Sequence, residues 1–411
     1  MKKHVFDVAV IGGGAAGLMA AAFAAQQGAE TVLIEKGKQC GRKLLITGGG
    51  RCNFTNSLGD AKEFCNAFGE NGRFLYTAFA KFSSTDTLKF FSSLGVKYII
   101  EDLGRVFPVS ENAKSILTAL TTFARFNGVK IWTELDVKSL KLENGIISEI
   151  HAKDTVIYAK NIVLATGGRS YPATGSTGDG YVFAEKCGHS IAKLRPLLTP
   201  VRLKEKWVNE LEGLSLRDVQ ISAFSGKKCS EEKGDILFTK DGMTGPAVYN
   251  ISRTISGREK GMKLVLDMFP DEERNTLDLR LAELFNNNGK KILKNVLGFV
   301  LPPKMLGLVL KLSGIDPETH CAKISKNHRK IIINLMKELE MEILQFSGFD
   351  RATVTGGGVS LNEVDSKTMR SKIVKNLFFA GEVLDLDAPT GGYNLQMCWS
   401  TGVLAGTYSA G

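Results

Sequence analysis

Cysteine is sparse and unpaired in this sequence, with seven in 411 residues: Cys40, Cys52, Cys65, Cys187, Cys229, Cys321 and Cys398. The number is odd and no two stand in a CxxC spacing, which excludes a disulfide framework and a zinc ribbon. Free thiols in a reducing cytoplasm are the expectation. Histidine is scarcer, with five residues; the Cys187/His189 pair reads as structural, and no metal site is expected. No Gly-x-Ser-x-Gly elbow or Ser–His–Asp order points to a hydrolase. Long apolar runs are missing too. The uncharged stretch Val8–Ala25, behind Lys2 and Lys3, is broken by four glycines and entered by Asp7. It reads as strand, turn and helix rather than as a leader peptide or a membrane span. A cytoplasmic protein with no membrane partner is expected.

What is present is an ordinary globular balance, 43% hydrophobic and 23% charged, which excludes disorder and collagen-like structure. The length suggests two to three domains at ~150 residues each. The net charge of +10 suits an anionic cofactor, an acidic substrate or a polyanion.

Val5–Ile11 reads as a buried parallel strand, Ala15–Gln27 as a helix stopped by Gly28, and Thr31–Glu35 as the next strand. Short β segments follow at Val129–Thr133, Asp136–Leu142, Ile146–Ala152, Val156–Ala159 and Asn161–Ala165, with a turn signal at Asn144-Gly145. The texture is β-like from about Leu194 to Phe269 and helical from Pro270 to about Leu339. Asn376–Ala380 is a strand, and Leu395–Ala405 a closing helix. The ends of the chain thus look nucleotide-binding, with a β-rich and then a helical insertion between them.

Gly12-Gly13-Gly14-Ala15-Ala16-Gly17 sets a GxGxxG between strand and helix. There Gly12 permits the tight turn, Gly14 lets a pyrophosphate approach the backbone, and Gly17 lets helix and strand pack closely. The helix start offers unpaired N–H groups and a positive dipole end to phosphate. Glu35, 18 residues beyond Gly17, is placed to accept the ribose hydroxyls of an adenosine. The dinucleotide reads as FAD, because regular βα units do not follow. Instead comes a loop, Gly41–Asn56, whose glycines suit a planar ring and whose Lys43 and Arg51 suit a pyrophosphate or another anion. Cys52 has Ser57 rather than a second thiol nearby, and the next cysteine is Cys65, so disulfide-reductase chemistry is not expected. Further on, Phe378–Glu382 brings an acid to a strand end, and Gly391-Gly392-Tyr393-Asn394 opens a helix near Leu395. The N–H groups of that turn are expected to face N1–O2 of the flavin.

Gly41–Asn56, with Ala165-Thr166-Gly167-Gly168 and Gly381-Glu382-Val383-Leu384-Asp385 downstream, resembles the BaiN/RdsA-like family of FAD-dependent oxidoreductases. Members are also described as aminoacetone-oxidase-family FAD-binding flavoproteins. The resemblance covers essentially the whole chain through Gly168–Gly180, Leu237-Phe238-Thr239, Thr244-Gly245-Pro246 and Gly391–Gln396. Lys240 and Asp241, before Gly242, depart from the residues usual there. The resemblance implies an α/β fold: a Rossmann-type FAD-binding domain, glutathione-reductase-like, interrupted by a β-barrel insertion and a small helical subdomain. The expected boundaries are 1–193 with 345–411 for the FAD domain, 194–270 with 325–344 for the β-rich insertion, and 271–324 for the helical subdomain. The face of the insertion toward the flavin is expected to form the substrate pocket.

The expected cofactor-binding residues are Gly12, Gly14, Ala15, Ala16, Gly17, Glu35, Lys36, Lys43, Gly49, Arg51, Cys52, Asn53, Val137, Thr166, Gly167, Gly168, Gly381, Glu382, Gly391, Gly392, Tyr393, Asn394 and Leu395. Tyr171 and Tyr393 are candidate proton donors, with Arg51 or Arg169 for an anionic substrate group. The function expected is an FAD-dependent oxidoreductase passing hydride through flavin N5 to or from a small organic substrate. The resemblance implies reduction of an activated C=C bond in a bile-acid or steroid-like molecule. Gly356-Gly357-Gly358 lacks a following strand and acid, so reduction is expected from NAD(P)H as a transient electron donor or from another donor. Two other readings stay open: a flavin-dependent RNA-modifying protein, from the charge and the run Lys323–Lys330, and a non-catalytic flavin-binding redox sensor. A nucleic-acid partner is not expected on the first reading, because basic residues are dispersed among acids and that run suits a solvated helix start.

Overall fold

The computed structural model describes residues 2–411. It divides into two compact units, Met1–Pro196 with Ala352–Gly411, and Leu197–Arg351.

In the first unit, β1 (Lys2–Ile11), α1 (Ala15–Gln26) and β2 (Thr31–Ile34) follow one another as the opening βαβ turn. Val8, Ala9 and Val10 are wholly buried, as a central parallel strand covered on both faces requires. The parallel strands run in the order Lys130–Trp132, β2, β1, Thr155–Leu164, Leu377–Phe379. The antiparallel pair Ile146–Ala152 and Val137–Glu143 extends the sheet. Register puts Trp132 beside Ile34, Ile34 beside Ile11, Ile11 beside Leu164 and Leu164 beside Phe379. Five strands therefore end level, and the loops leaving them share one edge of the sheet, where open α/β sheets bind ligands. Thr155–Leu164 is one strand rather than the two that its sequence suggests. Lys160 interrupts the apolar pattern there but faces solvent and pairs with Asp7 at 2.8 Å.

Helix α1 is Ala-rich and buried on nearly every side. The helix Tyr393–Ser409, which begins two residues before Leu395, lies against it. A Cβ on Gly402 or Gly406 would stand 2.6 or 2.3 Å from the carbonyl oxygens of Ala16 and Ala20, so bare backbone is what permits this approach. Residues between these elements, unassigned from sequence, form short helices such as Ala61–Asn66 and Ser84–Ser93 and a small sheet. Phe54, Phe64, Phe82, Phe90 and Phe91 fill the space between them through edge and stacked ring contacts.

In the second unit, six strands close a barrel in the order Val201–Leu203, Gly242–Thr244, Lys227–Thr239, Ser215–Ser225, Lys263–Asp267, Leu339–Phe346. The helices Arg274–Asn287, Leu293–Leu297, Pro303–Ser313 and Lys326–Lys337 share one apolar core with it, Leu277, Leu293, Met305 and Ile332 packing in the same cluster as Ile221 and Leu264. Residues 271–324 are thus not a body apart from the barrel. Most of 325–344, assigned to the β-rich insertion, is helical, as the texture up to about Leu339 suggested and that bound did not. Ser325 caps the helix by accepting the His328 N–H at 3.1 Å, and Ile332, Ile333 and Met336 give it one buried face. No helix among the described residues is long and apolar enough to cross a membrane.

Candidate functional site

The level strand ends of the first unit open into a cleft of about 1220 Å³ including its mouth. Its lining runs from Glu35, Lys36 and Val137 past the glycine turn to Lys43, Glu382 and Leu395, an extended shape that suits a dinucleotide. Gly12, Gly14, Ala15 and Ala16 line its floor. The Gly12 N–H donates to the Ile34 carbonyl at 2.8 Å and the Gly13 N–H to Glu35 Oε2 at 2.8 Å, which fixes the turn. Gly17 does not line the cleft. It sits behind Gly12, and a Cβ there would stand 1.8 Å from the Gly12 carbonyl oxygen. Gly14 is the opposite case, since a Cβ would meet nothing within 4 Å. No side chain caps α1 and no acid lies in its first turn, so the first N–H groups of the helix and its positive end face the open cleft.

Glu35 also lines the cleft, each oxygen held by backbone: Oε2 by Gly13 and Oε1 by the Gly37 N–H at 2.6 Å. A carboxylate oxygen has room for a second donor, so a pair of ribose hydroxyls can still be accepted. Lys36, Thr177 and Asp179 form a hydrogen-bonded ion-pair group at the rim. Burial raises the Asp179 carboxyl, but Lys36 and Thr177 outweigh it and hold it below its ordinary value. Val137 borders the same end.

At the other end of the cleft, Lys43 donates to both oxygens of Glu382, at 2.8 and 3.1 Å. Glu382 Oε1 further accepts the Thr355 N–H at 2.8 Å and the Ser170 hydroxyl at 3.3 Å. Thr166, Gly167, Asn394 and Leu395 complete this wall. Asn394 clamps the preceding loop, accepting from the Ala388 N–H at 3.0 Å and donating to its carbonyl at 2.8 Å. Gly168 and Gly381 lie just behind the wall, where a Cβ would stand 2.4 Å from Thr355 Oγ1 and 2.6 Å from Ala16 Cβ.

The Gly41–Asn56 loop supplies less of the cleft than its composition suggests. Lys43 lines it, whereas Gly49, Arg51, Cys52 and Asn53 do not. The Arg51 guanidinium is committed to Glu101 and Glu111 and lies 4.1 Å above the Phe107 ring. A substrate anion would have to compete with these two carboxylates for it, although its Nε has no hydrogen-bond partner. Cys52 is fully buried, and burial pushes its thiol up to about 12 against a weaker hydrogen bond from Thr47. Asn53 accepts the Val106 N–H at 3.1 Å. Gly49 is exposed with a left-handed φ of 67° and an open face.

Gly391 and Gly392 precede the last helix at φ 125° and 99°. The Gly391 carbonyl accepts from Asn56 at 2.9 Å, and a Gly392 Cβ would meet the Thr55 carbonyl oxygen at 2.3 Å. This turn is held by packing whatever else it does. Tyr393 stands half-buried beside Phe64, ring centroids 5.8 Å apart, and burial together with Glu63 pushes its hydroxyl up. Tyr171 adopts a left-handed φ of 52°, and Arg169 is exposed.

Reading the sequence missed the loop Thr174–Asp179 and the support of Glu382 by Ser170 and Thr355, although Gly175, Gly178 and Asp179 signalled a tight turn into a helix N-terminus. The residues present fit an FAD. They offer a bare glycine, an uncapped helix start, a ribose-competent acid and a lysine–carboxylate pair along one cleft.

Over residues 6–408 the chain matches the family model of the HI0933-like protein Rossmann domain. It is 32% identical over 414 residues to the 3-dehydro-bile acid delta(4,6)-reductase of Clostridium scindens, covering 98% of each chain. It is 33% identical over 397 residues to the ribosomal RNA dihydrouridine synthase of Haemophilus influenzae, covering 95% of each. Among solved structures, the 3-ketosteroid-delta4-(5alpha)-dehydrogenase of Rhodococcus jostii superposes with a TM-score of 0.57 at 16% identity, over 100% of this chain and 98% of that one. This last likeness is one of fold.

Proposed function

The chain belongs to the family of the HI0933-like protein Rossmann domain and is an FAD-dependent oxidoreductase; from that premise we propose that it saturates a C=C bond conjugated to a carbonyl. The observation that carries the reading is the cleft at the level strand ends, lined from Glu35 to Glu382 and floored by an uncapped helix start. When bound, FAD supplies hydride at N5. In this reading the N–H groups at Gly14–Ala16 hold the pyrophosphate, Glu35 orients the adenosine ribose, and Lys43 with Glu382 fixes the middle of the cofactor. The Gly391–Gly392 turn and the helix start at Tyr393 then face the flavin ring, and Gly49 and the backbone around Cys52 and Asn53 border it. The Tyr393 hydroxyl, which burial pushes further above its ordinary value, delivers the proton to the α-carbon, or Tyr171 does, while Arg169 meets an anionic substituent.

Both relatives support this chemistry, because a bile-acid Δ4,6 reduction and dihydrouridine formation each add two hydrogens across a C=C bond conjugated to a carbonyl. Gly356–Gly358 lies inside the buried strand Val354–Val359, so it does not mark a second nucleotide site. NAD(P)H visiting the flavin transiently is the electron donor in this reading. The substrate is a small steroid-like enone, the cytoplasm its place. A second reading, uracil within RNA, is favoured by the net charge of +10 and by the ribosomal RNA relatives.

The test is to reduce the flavin of the purified holoprotein anaerobically and add a 3-oxo-Δ4 steroid or a uracil-containing ribosomal RNA fragment. Flavin reoxidation with a product two hydrogens heavier is expected from one of them. Reoxidation by neither, with rapid reoxidation by a disulfide or a quinone, would overturn the reading.

A further inference from the structure

Basic residues are dispersed over most of the chain, but not over residues 288–330. That segment carries nine Lys and Arg against two acids, Asp316 and Glu318, a surplus of seven in a chain whose net charge is +10. Folding concentrates the charge further. Ile292 and His320 form a β-bridge, the Cys321 N–H donates to the Lys291 carbonyl at 2.9 Å, and the Ala322 N–H to the Gly289 carbonyl at 3.1 Å. Lys290 and Lys291 are thereby held beside His320 and Lys323. The Lys294 N–H donates to the Pro317 carbonyl at 3.1 Å, which ties that lysine to the same junction. Lys326 and Lys330 follow one turn apart on the next helix.

Three other bases of the segment are already engaged: Arg329 with Asp278, Lys311 with Glu210, and Lys304 with the Glu212 carbonyl. Lys290, Lys291, Lys294, Lys323, Lys326 and Lys330 are all exposed; among the described residues their ammonium groups make no hydrogen bond or close ion pair, and only Lys326 feels a nearby carboxylate, Asp278, which Arg329 already holds. Elsewhere on the surface, pairing is common: Lys130, Lys138, Lys141, Lys160, Lys204 and Lys263 each face a carboxylate. Unpaired ammonium groups gathered on one junction raise a local positive potential that draws polyanions, the more so at low salt. Between them stand the exposed amides Asn295 and Asn327, which can hydrogen-bond phosphate and sugar oxygens.

We propose that this lysine junction is a docking surface for the phosphate backbone of a structured RNA. The proposal rests on the RNA arm of the reading above and adds the surface to it.

The experiment uses the FAD-loaded full chain and a transcribed ribosomal RNA fragment in a filter-binding titration across salt. The triple variant Lys290→Glu, Lys291→Glu, Lys323→Glu is compared with Lys227→Glu, Lys240→Glu, Lys260→Glu, which changes net charge equally on other exposed lysines. Flavin absorbance and a melting curve verify folding of both. The junction variant is expected to bind about tenfold more weakly or worse, with its log–log salt slope shallower by about 0.7–0.9 for each phosphate it no longer neutralises. The control variant is expected to stay within about threefold of wild type. Equal weakening in both variants, or a junction variant that loses binding to anionic phosphatidylserine vesicles in place of RNA, overturns the surface. RNA binding unaffected by the junction variant also overturns it while leaving the RNA reading standing. Wild type that binds no RNA yet reduces a steroid enone overturns both the surface and the RNA arm, and leaves the reductase assignment intact.

Discussion

Gly14 and Gly17 stand three residues apart in one motif, yet the structure gives their substitution opposite consequences. Gly14 has φ −80° and ψ −169°, ordinary extended backbone, and a side chain there meets nothing within 4 Å. Gly14→Val should therefore leave the apoprotein's stability within about 1 kcal/mol of wild type, with the smaller set of unfolded conformations acting in its favour. With FAD present the two should part. A ligand at a hundred times its Kd adds about 2.7 kcal/mol of stability, which for a unit of this size is roughly 5–10 °C in Tm. A valine filling the pyrophosphate's approach should abolish most of that gain. Gly17→Ala should behave in reverse, because its methyl would stand 1.8 Å from the Gly12 carbonyl oxygen. Displacing that backbone costs about 1–3 kcal/mol or more, so the apoprotein itself should melt early. The assay is a thermal melt of apo and FAD-reconstituted forms of wild type and both variants. A Gly14→Val protein whose Tm rises with FAD as wild type does would refute the placement of the pyrophosphate.

Iodoacetamide on the native protein should alkylate exposed Cys229 and spare Cys52, whose burial pushes its thiol up to about 12; peptide mass spectrometry reads this, and comparable rates at both would contradict the buried placement. Burial pushes His189 below its ordinary value of 6.5, against the pull of Glu363. The unfolded chain then takes up the proton first, so this contribution to stability is complete above about pH 6.5 and drains as the pH falls below it. His189→Asn should flatten the denaturant-midpoint profile between about pH 7 and 5, and an unchanged slope would count against it. Gln396, fully buried, accepts from the Thr55 hydroxyl at 2.6 Å and donates to the Phe82 carbonyl at 3.1 Å. Gln396→Leu strands the Thr55 hydroxyl, while the Phe82 carbonyl keeps the Ser400 hydroxyl at 2.6 Å, and should cost about 1–3 kcal/mol by denaturant titration.

The opening βαβ turn was legible in the sequence because its signals are local: a β-branched run, three glycines, an alanine-rich helix, a second strand ending in an acid. The barrel was legible only as texture, since which strand pairs with which is decided by residues far apart, as between Val201 and Phe346. Arg51 shows the same boundary within the site. Its residue type and its loop suited an anion, but the acids that claim it, Glu101 and Glu111, lie 50 and 60 positions downstream. Lys43 and Glu382 were each recognisable as ligand residues, whereas their pairing, across 339 positions, was not. The helix after Ser325 was legible as texture, helical to about Leu339 with a helix start at Lys323–Lys330, and only the 325–344 bound drawn for the β-rich insertion grouped it with the strand Leu339–Phe346.

The sheet edge that forms the cleft is completed by Leu377–Phe379, and α1 is covered by Tyr393–Ser409. During synthesis the glycine motif emerges early, but its last neighbouring strand and its covering helix emerge only after the whole of Leu197–Arg351. That intervening unit has all six barrel strands in hand and is free to fold first. For most of translation, then, α1 exposes apolar surface that its final partner will hide, the kind of interval in which chains depend on chaperones. Flavin capture belongs to the end of that sequence. A ribosome stalled once Leu197–Arg351 has emerged but before Tyr393 would hold a finished barrel and an unfinished cofactor site.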